Sequence, residues 1–183
     1  AGGMDEQKWN LTLRDGFLKG STYARGGSLN VGAIAGIASK ATSVTAPTAE
    51  AIEIVLTPDS TQWDGRFANN AWLQEAPDPI TKLTWDNAAW MSPKMFRGLG
   101  LKEGQKVKIT LGDTSVEIPA IEAPGHVSNS ITIPLGYGQL KLGFVGSDSD
   151  GKGRGFNAYK LRADSNQFVL TGAKVEKLDE IFK

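Results

Sequence analysis

The chain has 183 residues, a mass of 19.5 kDa, a formal net charge of zero, no cysteine and one histidine. That length fits one domain with a real core, and the neutral charge argues against general nucleic-acid binding, which needs a basic surface to displace counterions. Without cysteine, this chain can form no disulfide, thiolate zinc site, iron–sulfur ligation or cysteine nucleophile, and with only His126 it can form no histidine-rich metal site.

No stretch is long enough to span a bilayer. The most apolar run, Leu29 to Ala38 (LNVGAIAGIA), is about half the ~20 residues that a spanning helix needs. The opening AGGMDEQKW lacks the basic segment and apolar core of a signal peptide. Ala1 to Gly3 ahead of Met4 reads as a cloning scar, and the chain as a soluble piece of a longer protein.

In chain order, Trp9, Leu11 and Leu13 alternate with polar residues, which predicts a short strand over Lys8 to Leu13. Val31, Ile34 and Ile37 recur at helical spacing and predict a helix from Leu29 to Ser39. Thr42 to Glu50 is rich in Ala, Thr, Ser and Pro and reads as a connector. The expected division is therefore an N-terminal segment, 1–48, and a main domain, 49–183.

The main domain is β-patterned. Ile52, Ile54 and Leu56 share one face of a strand that Thr57-Pro58-Asp59 ends. Ala88 to Met91 reads as a strand, and Ser92 and Pro93 then suit the N-cap and first position of a helix, Pro93 to Leu99, stopped by Gly100. Lys106 to Leu111 and Ser115 to Ile121 form a hairpin about Gly112-Asp113. Ser130 to Leu135 is another alternating strand, with Pro134 at an edge or strand end, where no amide donor is required. Gln167 to Leu170 reads as a last strand, and Val175, Leu178, Ile181 and Phe182 as a short terminal helix. So few helices cannot serve the crossovers of a doubly wound sheet, so a closed β-barrel with a few short helices is expected.

Three features invite a chemical reading. His126, in Ala-Pro-Gly-His-Val, has no fixed partner in sequence and reads as a surface turn residue. No Gly-x-Ser-x-Gly elbow or other triad signature is present. The run GSDSDGKGRGFN, Gly146 to Asn157, imitates a calcium loop through Asp148, Asp150 and Gly151. It fails at positions 1 and 12, which are Gly146 and Asn157. A looser cation site, a phosphate loop using Lys152 and Arg154, and a plain surface loop remain as readings. Four of the five tryptophans, Trp63, Trp72, Trp85 and Trp90, lie between residues 63 and 90, as a ligand slot, an interface or ordinary packing would use them.

The segment from Ile52 to Leu161 resembles a known family. An opening strand, the loop GRFANNAWLQEAPDPITKLTWDNAAWMSP, then KMFRGLGLKEGQKVKITLG, a hairpin and PGHVSNSITIPLGYG are similar to the C-terminal domain of molybdopterin-dependent oxidoreductases. Within that family the pattern is most similar to the large iron–sulfur subunit of alternative complex III, a quinol:electron-acceptor oxidoreductase. GLKEGQKVKI is generic for the barrel, whereas the long loop is more specific.

The resemblance implies a mainly β fold, a six-stranded double-psi β-barrel of the aspartate-decarboxylase type with a few short helices. It also implies a dinucleotide cleft, with cofactor contacts at Thr57, Asn69, Asn70, Trp72, Trp85, Asp86, Asn87, Gly155 and Asn157. Two departures stand out. The first loop is Thr57-Pro58-Asp59-Ser60 where a basic loop is expected, with Arg66 further on, and Asp59 would repel a pyrophosphate. The iron–sulfur subunit of alternative complex III also resembles a molybdoenzyme that has lost its cofactor.

The expected function is thus a non-catalytic, structural barrel in a respiratory electron-transfer subunit, with a vestigial cofactor cleft. A working molybdopterin guanine dinucleotide site is the alternative, and a protein-interaction module is another. No metal ligands are expected here, and iron–sulfur clusters would lie elsewhere in the parent chain. Its partners would be other domains and subunits of a membrane-bound respiratory complex on the periplasmic face of a bacterial inner membrane. No nucleic acid and no membrane insertion by this segment are expected.

Overall fold

The computed structural model describes residues 5–23, 26–41, 46–147, 151–162 and 168–182. The chain divides into two compact units, Ala1–Val44 and Thr45–Lys183.

The first unit contains two helices, α1 (Glu6–Asp15) and α2 (Val31–Ala41). The first replaces the strand expected over Lys8 to Leu13. Trp9, Leu11 and Leu13 are all exposed, so their alternation has no buried face to serve. The ends decide instead. The Asp5 carboxylate accepts a hydrogen bond from Lys8 N at 2.7 Å, and Gly16, at φ 75°, donates its N–H to Thr12 O at 2.9 Å.

The second unit is a closed barrel of six strands: β1 (Ile52–Thr57), β2 (Ala89–Met91), β3 (Gln105–Leu111), β4 (Thr114–Glu122), β5 (Ser130–Pro134) and β6 (Val169–Ile181). Around the barrel the order is β1-β5-β2-β4-β3-β6. The β1/β5 and β2/β4 pairs are parallel and the other four antiparallel. This mixed, mainly β barrel is of the double-psi type. Alternation places Ile54, Leu56, Val107, Ile109, Ile118, Ile131 and Ile133 in the core. Among the described strands, closure leaves no free sheet edge.

Short helices cover the connections: α3 (Ala71–Glu75), α4 (Pro93–Gly98), α5 (Gly143–Gly146) and a 3₁₀ turn over Ala158–Leu161. The α4 cap is as the sequence reads, with Ser92 Oγ accepting from Met95 N at 3.2 Å. Pro134 closes β5, and His126 bridges its turn to that strand through Thr132 Oγ1 at 2.9 Å.

The terminal helix expected from Val175 to Phe182 is instead the long strand β6. Two register shifts explain the mistaken period. Opposite β1, Ala173 pairs with Ile52 and Leu170 with Ile54, so three steps of β6 face two of its partner. Opposite β3, Ile181 pairs with Gln105 and Lys177 with Val107. Bulges of this kind break the period of two, and Gly172, at φ 89°, takes the first. Gln167, expected to open this strand, lies outside the described residues.

Candidate functional site

The long β1–β2 and β5–β6 connections build the candidate site. The first opens with an Asx turn. Asp59 Oδ1 accepts from Thr61 N, Thr61 Oγ1 and Gln62 N at 2.8–2.9 Å. Asp59 is buried, as is Tyr137 beside it. Burial, with the Asp59 charge adding to it, pushes the Tyr137 phenol above its ordinary range. Arg66, further along this connection, clasps Asp64 with Nε to Oδ1 at 2.9 Å and a terminal nitrogen to Oδ2 at 2.7 Å. That bond holds the Asp64 carboxyl down at about 2.

The four asparagines implied as cofactor contacts all serve the fold. Asn70 caps α3, accepting from Leu73 N at 3.3 Å. Asn157 caps the 3₁₀ turn, accepting from Tyr159 N at 3.0 Å. The Asn69 carbonyl accepts from Val145 N at 3.1 Å and Gly146 N at 3.2 Å, which ties the two connections together.

Asn87 is only 2% exposed and uses its whole amide. Its Nδ2 donates to Pro134 O at 2.8 Å and Phe156 O at 3.0 Å, and its Oδ1 accepts from Phe156 N at 2.8 Å. It clamps the end of β5 to the Gly153–Phe156 loop, and the close fit leaves no room for a side chain at Gly155. A Cβ there would stand 2.8 Å from Asn87 Oδ1 and 2.9 Å from Tyr137 Cβ, on a backbone at φ 67°.

The remaining expected contacts separate. Thr57 ends β1 and its carbonyl accepts from Leu135 N at 2.8 Å. Trp72 is 85% exposed on α3 and does not line the cleft described next. Trp85, Asp86 and Gly155 do come together there.

This open cleft has a volume of about 390 Å³, lined by Trp85, Asp86 and Phe182 with the Lys152–Phe156 loop. Trp85 is held at φ 63°, its N–H bonded to Gln74 O at 3.1 Å. The Arg154 guanidinium lies over its ring, 5.3 Å from the centroid. Phe156 and Phe182 meet edge to face at 5.2 Å, and Lys106 Nζ lies 5.7 Å from each ring. Lys106 also bonds Glu180 at 2.6 Å.

Burial pushes the Asp86 carboxyl up to about 6, against the opposing pull of the Asn87 N–H and the Lys106 charge. On its other side Asp86 lines a small cavity of about 10 Å³ with Asp59, Asp78 and Trp90 among its walls.

The sequence did not single out Phe182 and Lys106 as site residues. Phe182 arrives only because the last segment is a strand, and alternation marked Lys106 merely as an outward residue. Asp148 and Asp150 of the apparent calcium loop lie outside the described residues. Among the described residues, no group of three or more His, Asp or Glu side chains could hold a metal ion, and no helix is long and apolar enough to cross a membrane.

No family model and no curated protein matches the chain. Among solved structures, acetylene hydratase from Pelobacter acetylenicus is similar over 93% of this chain, with a TM-score of 0.51 and 14% sequence identity. The chain spans 23% of the length of that protein. At this identity the likeness is one of fold: the six-stranded barrel described above recurs as a minor part of a much longer polypeptide.

Proposed function

We propose that this chain is a non-catalytic barrel domain of a molybdopterin-oxidoreductase-like subunit, with a structural role in electron-transfer assembly and a vestigial dinucleotide cleft. The observation that carries the reading is the use of Asn69, Asn70, Asn87 and Asn157. Each gives its side-chain carbonyl to a backbone N–H of this chain. A guanine edge or a ribose would have to compete for groups that already hold the loops together.

The motif resemblance over Ile52 to Leu161 supports the family, and the likeness to a small share of a long chain suits a domain of a larger protein. The finer assignment, to the large iron–sulfur subunit of alternative complex III on the periplasmic face of a bacterial inner membrane, rests on the long-loop motif alone. Iron–sulfur clusters would then be held elsewhere in the parent chain, since this one has no cysteine. The contact with neighbouring domains or subunits would use exposed apolar side chains, Trp63, Phe67, Trp72, Leu140 and Phe144, on the two connections that Asn69 joins.

A working guanylate site is the second reading, favoured by Trp85 and Arg154 in the cleft. Calorimetric titration with guanine nucleotides separates the two. The structural reading predicts no base-selective binding. Low-micromolar, guanine-selective binding that is lost in Asp86→Ala or Asn157→Ala would establish the working site instead.

A further inference from the structure

The opposite end of the barrel carries a second cavity. β1 is six residues long, so its ends, Ile52 and Thr57, stand about 16 Å apart. The Thr57 end pairs with Pro134, which Asn87 holds beside the dinucleotide cleft. The Ile52 end borders a cavity of about 290 Å³ beside α4, at the low end of the range for small-molecule pockets. We propose that this cavity binds a small aliphatic carboxylate, its chain on an apolar floor and its head at Lys94. The site is separate from the dinucleotide cleft and holds whichever way that question is settled.

Strand pairing leaves the cavity open. The β1–β6 ladder stops at Ile52 and Ala173, while β6 runs on beside β3, with Val175 opposite Ile109. Met95, Leu99 and Val175 pack against the core yet stay partly exposed. With buried Ile52 they form an aliphatic floor. No aromatic side chain lines the cavity, so it offers a ring no stacking partner, and the flexible thioether of Met95 adapts to a chain.

The rim decides the charge of the ligand. Its polar side chains are Lys94, Ser128 and Asn129, and no Asp or Glu lines the cavity. None of the three has a hydrogen-bond or ion-pair partner for its side chain among the described residues. An ammonium, a hydroxyl and a carboxamide are donors for one carboxylate and complement one negative charge. A cationic head would face Lys94 with no acid to receive it. The turn that presents these donors is anchored, since the Asn129 carbonyl accepts from Glu53 N at 2.9 Å. Asn129 holds φ 61°, which asparagine tolerates better than most residues. The neighbouring charges are engaged elsewhere. Glu53 accepts from Ser130 Oγ at 3.1 Å, Arg97 donates to Glu122 at 2.8 Å, and Lys177 donates to Gly100 O at 2.7 Å.

The test uses the full chain and octanoate, with octylammonium and 1-octanol as the same chain under other heads. Binding is followed by ¹³C–¹H methyl NMR at neutral pH. Octanoate should shift the methyls of Ile52, Met95, Leu99 and Val175 saturably, with a Kd of about 1 mM or below. Octylammonium should bind about tenfold more weakly or less. Lys94→Gln, an exposed change, should weaken octanoate about fivefold and leave 1-octanol unchanged. No saturable shift in the millimolar range, shifts confined to other methyls, octylammonium binding as tightly as octanoate, or an octanoate affinity unchanged in Lys94→Gln would each overturn the proposal.

Discussion

Replacing Asn87 by Ala separates a structural amide from a ligand-reading one. The substitution removes three hydrogen bonds of 2.8–3.0 Å. It leaves the carbonyl of buried Pro134 and both backbone groups of Phe156 without their partner. An unsatisfied buried group costs about 1–3 kcal/mol, but the half-buried Phe156 groups can recover part of that from water. Summing one full loss and two partial ones gives about 3 kcal/mol. For a barrel of this size that corresponds to a fall in Tm of roughly 10 °C. Urea denaturation followed by circular dichroism, with thermal unfolding alongside, gives both quantities. Asn87→Asp should be at least as damaging, because a carboxylate would face two carbonyl oxygens. A loss below about 0.5 kcal/mol, the range of an ordinary surface substitution, would refute the clamp. The amide would then be free to read a ligand.

Three further outcomes follow from the same geometry. Gly155→Ala should destabilise the barrel by about 1–3 kcal/mol, since the position combines φ 67° with the close approach of Asn87 and Tyr137; an unchanged urea midpoint would contradict this. Asn69→Ala should leave Tm within a few degrees but speed amide hydrogen exchange at Val145 and Gly146, the two N–H groups that it holds. Asp86 should make stability depend on pH. Its folded value of about 6 lies above the ~3.9 of an unfolded aspartate, so its contribution is fully present below about pH 4 and is lost as pH rises through 6. Between pH 4 and 7.5 the wild type should lose about 1–2 kcal/mol relative to Asp86→Asn, read from urea titrations of both proteins; parallel pH profiles would contradict it.

Much of the barrel was legible because one face of each strand is buried. Ile52, Ile54 and Leu56 announce β1, and Val107 and Ile109 announce β3. Ser92-Pro93 marks its helix through cap chemistry, which is local and survives any tertiary context. The errors fall where period and burial part company. The alternation of Trp9, Leu11 and Leu13 serves no core, and the bulges of β6 give a strand an apolar spacing of three. The site follows the same rule. Trp85, Asp86 and Gly155, which the resemblance implies as contacts of one cofactor, line one cleft. That Asn87 points its amide at Pro134 and Phe156 depends on contacts 47 and 69 residues away. No local pattern encodes such a partner.

The Asn87 amide carries the most weight in the structural reading, and side-chain NMR observes it directly. In a ¹⁵N–¹H spectrum the Asn87 NH₂ protons should exchange slowly with solvent, show contacts to Phe156, and stay in place when molybdopterin guanine dinucleotide is added. Fast exchange together with a saturable shift on adding the dinucleotide would contradict the structural reading and assign Asn87 to a working cofactor site.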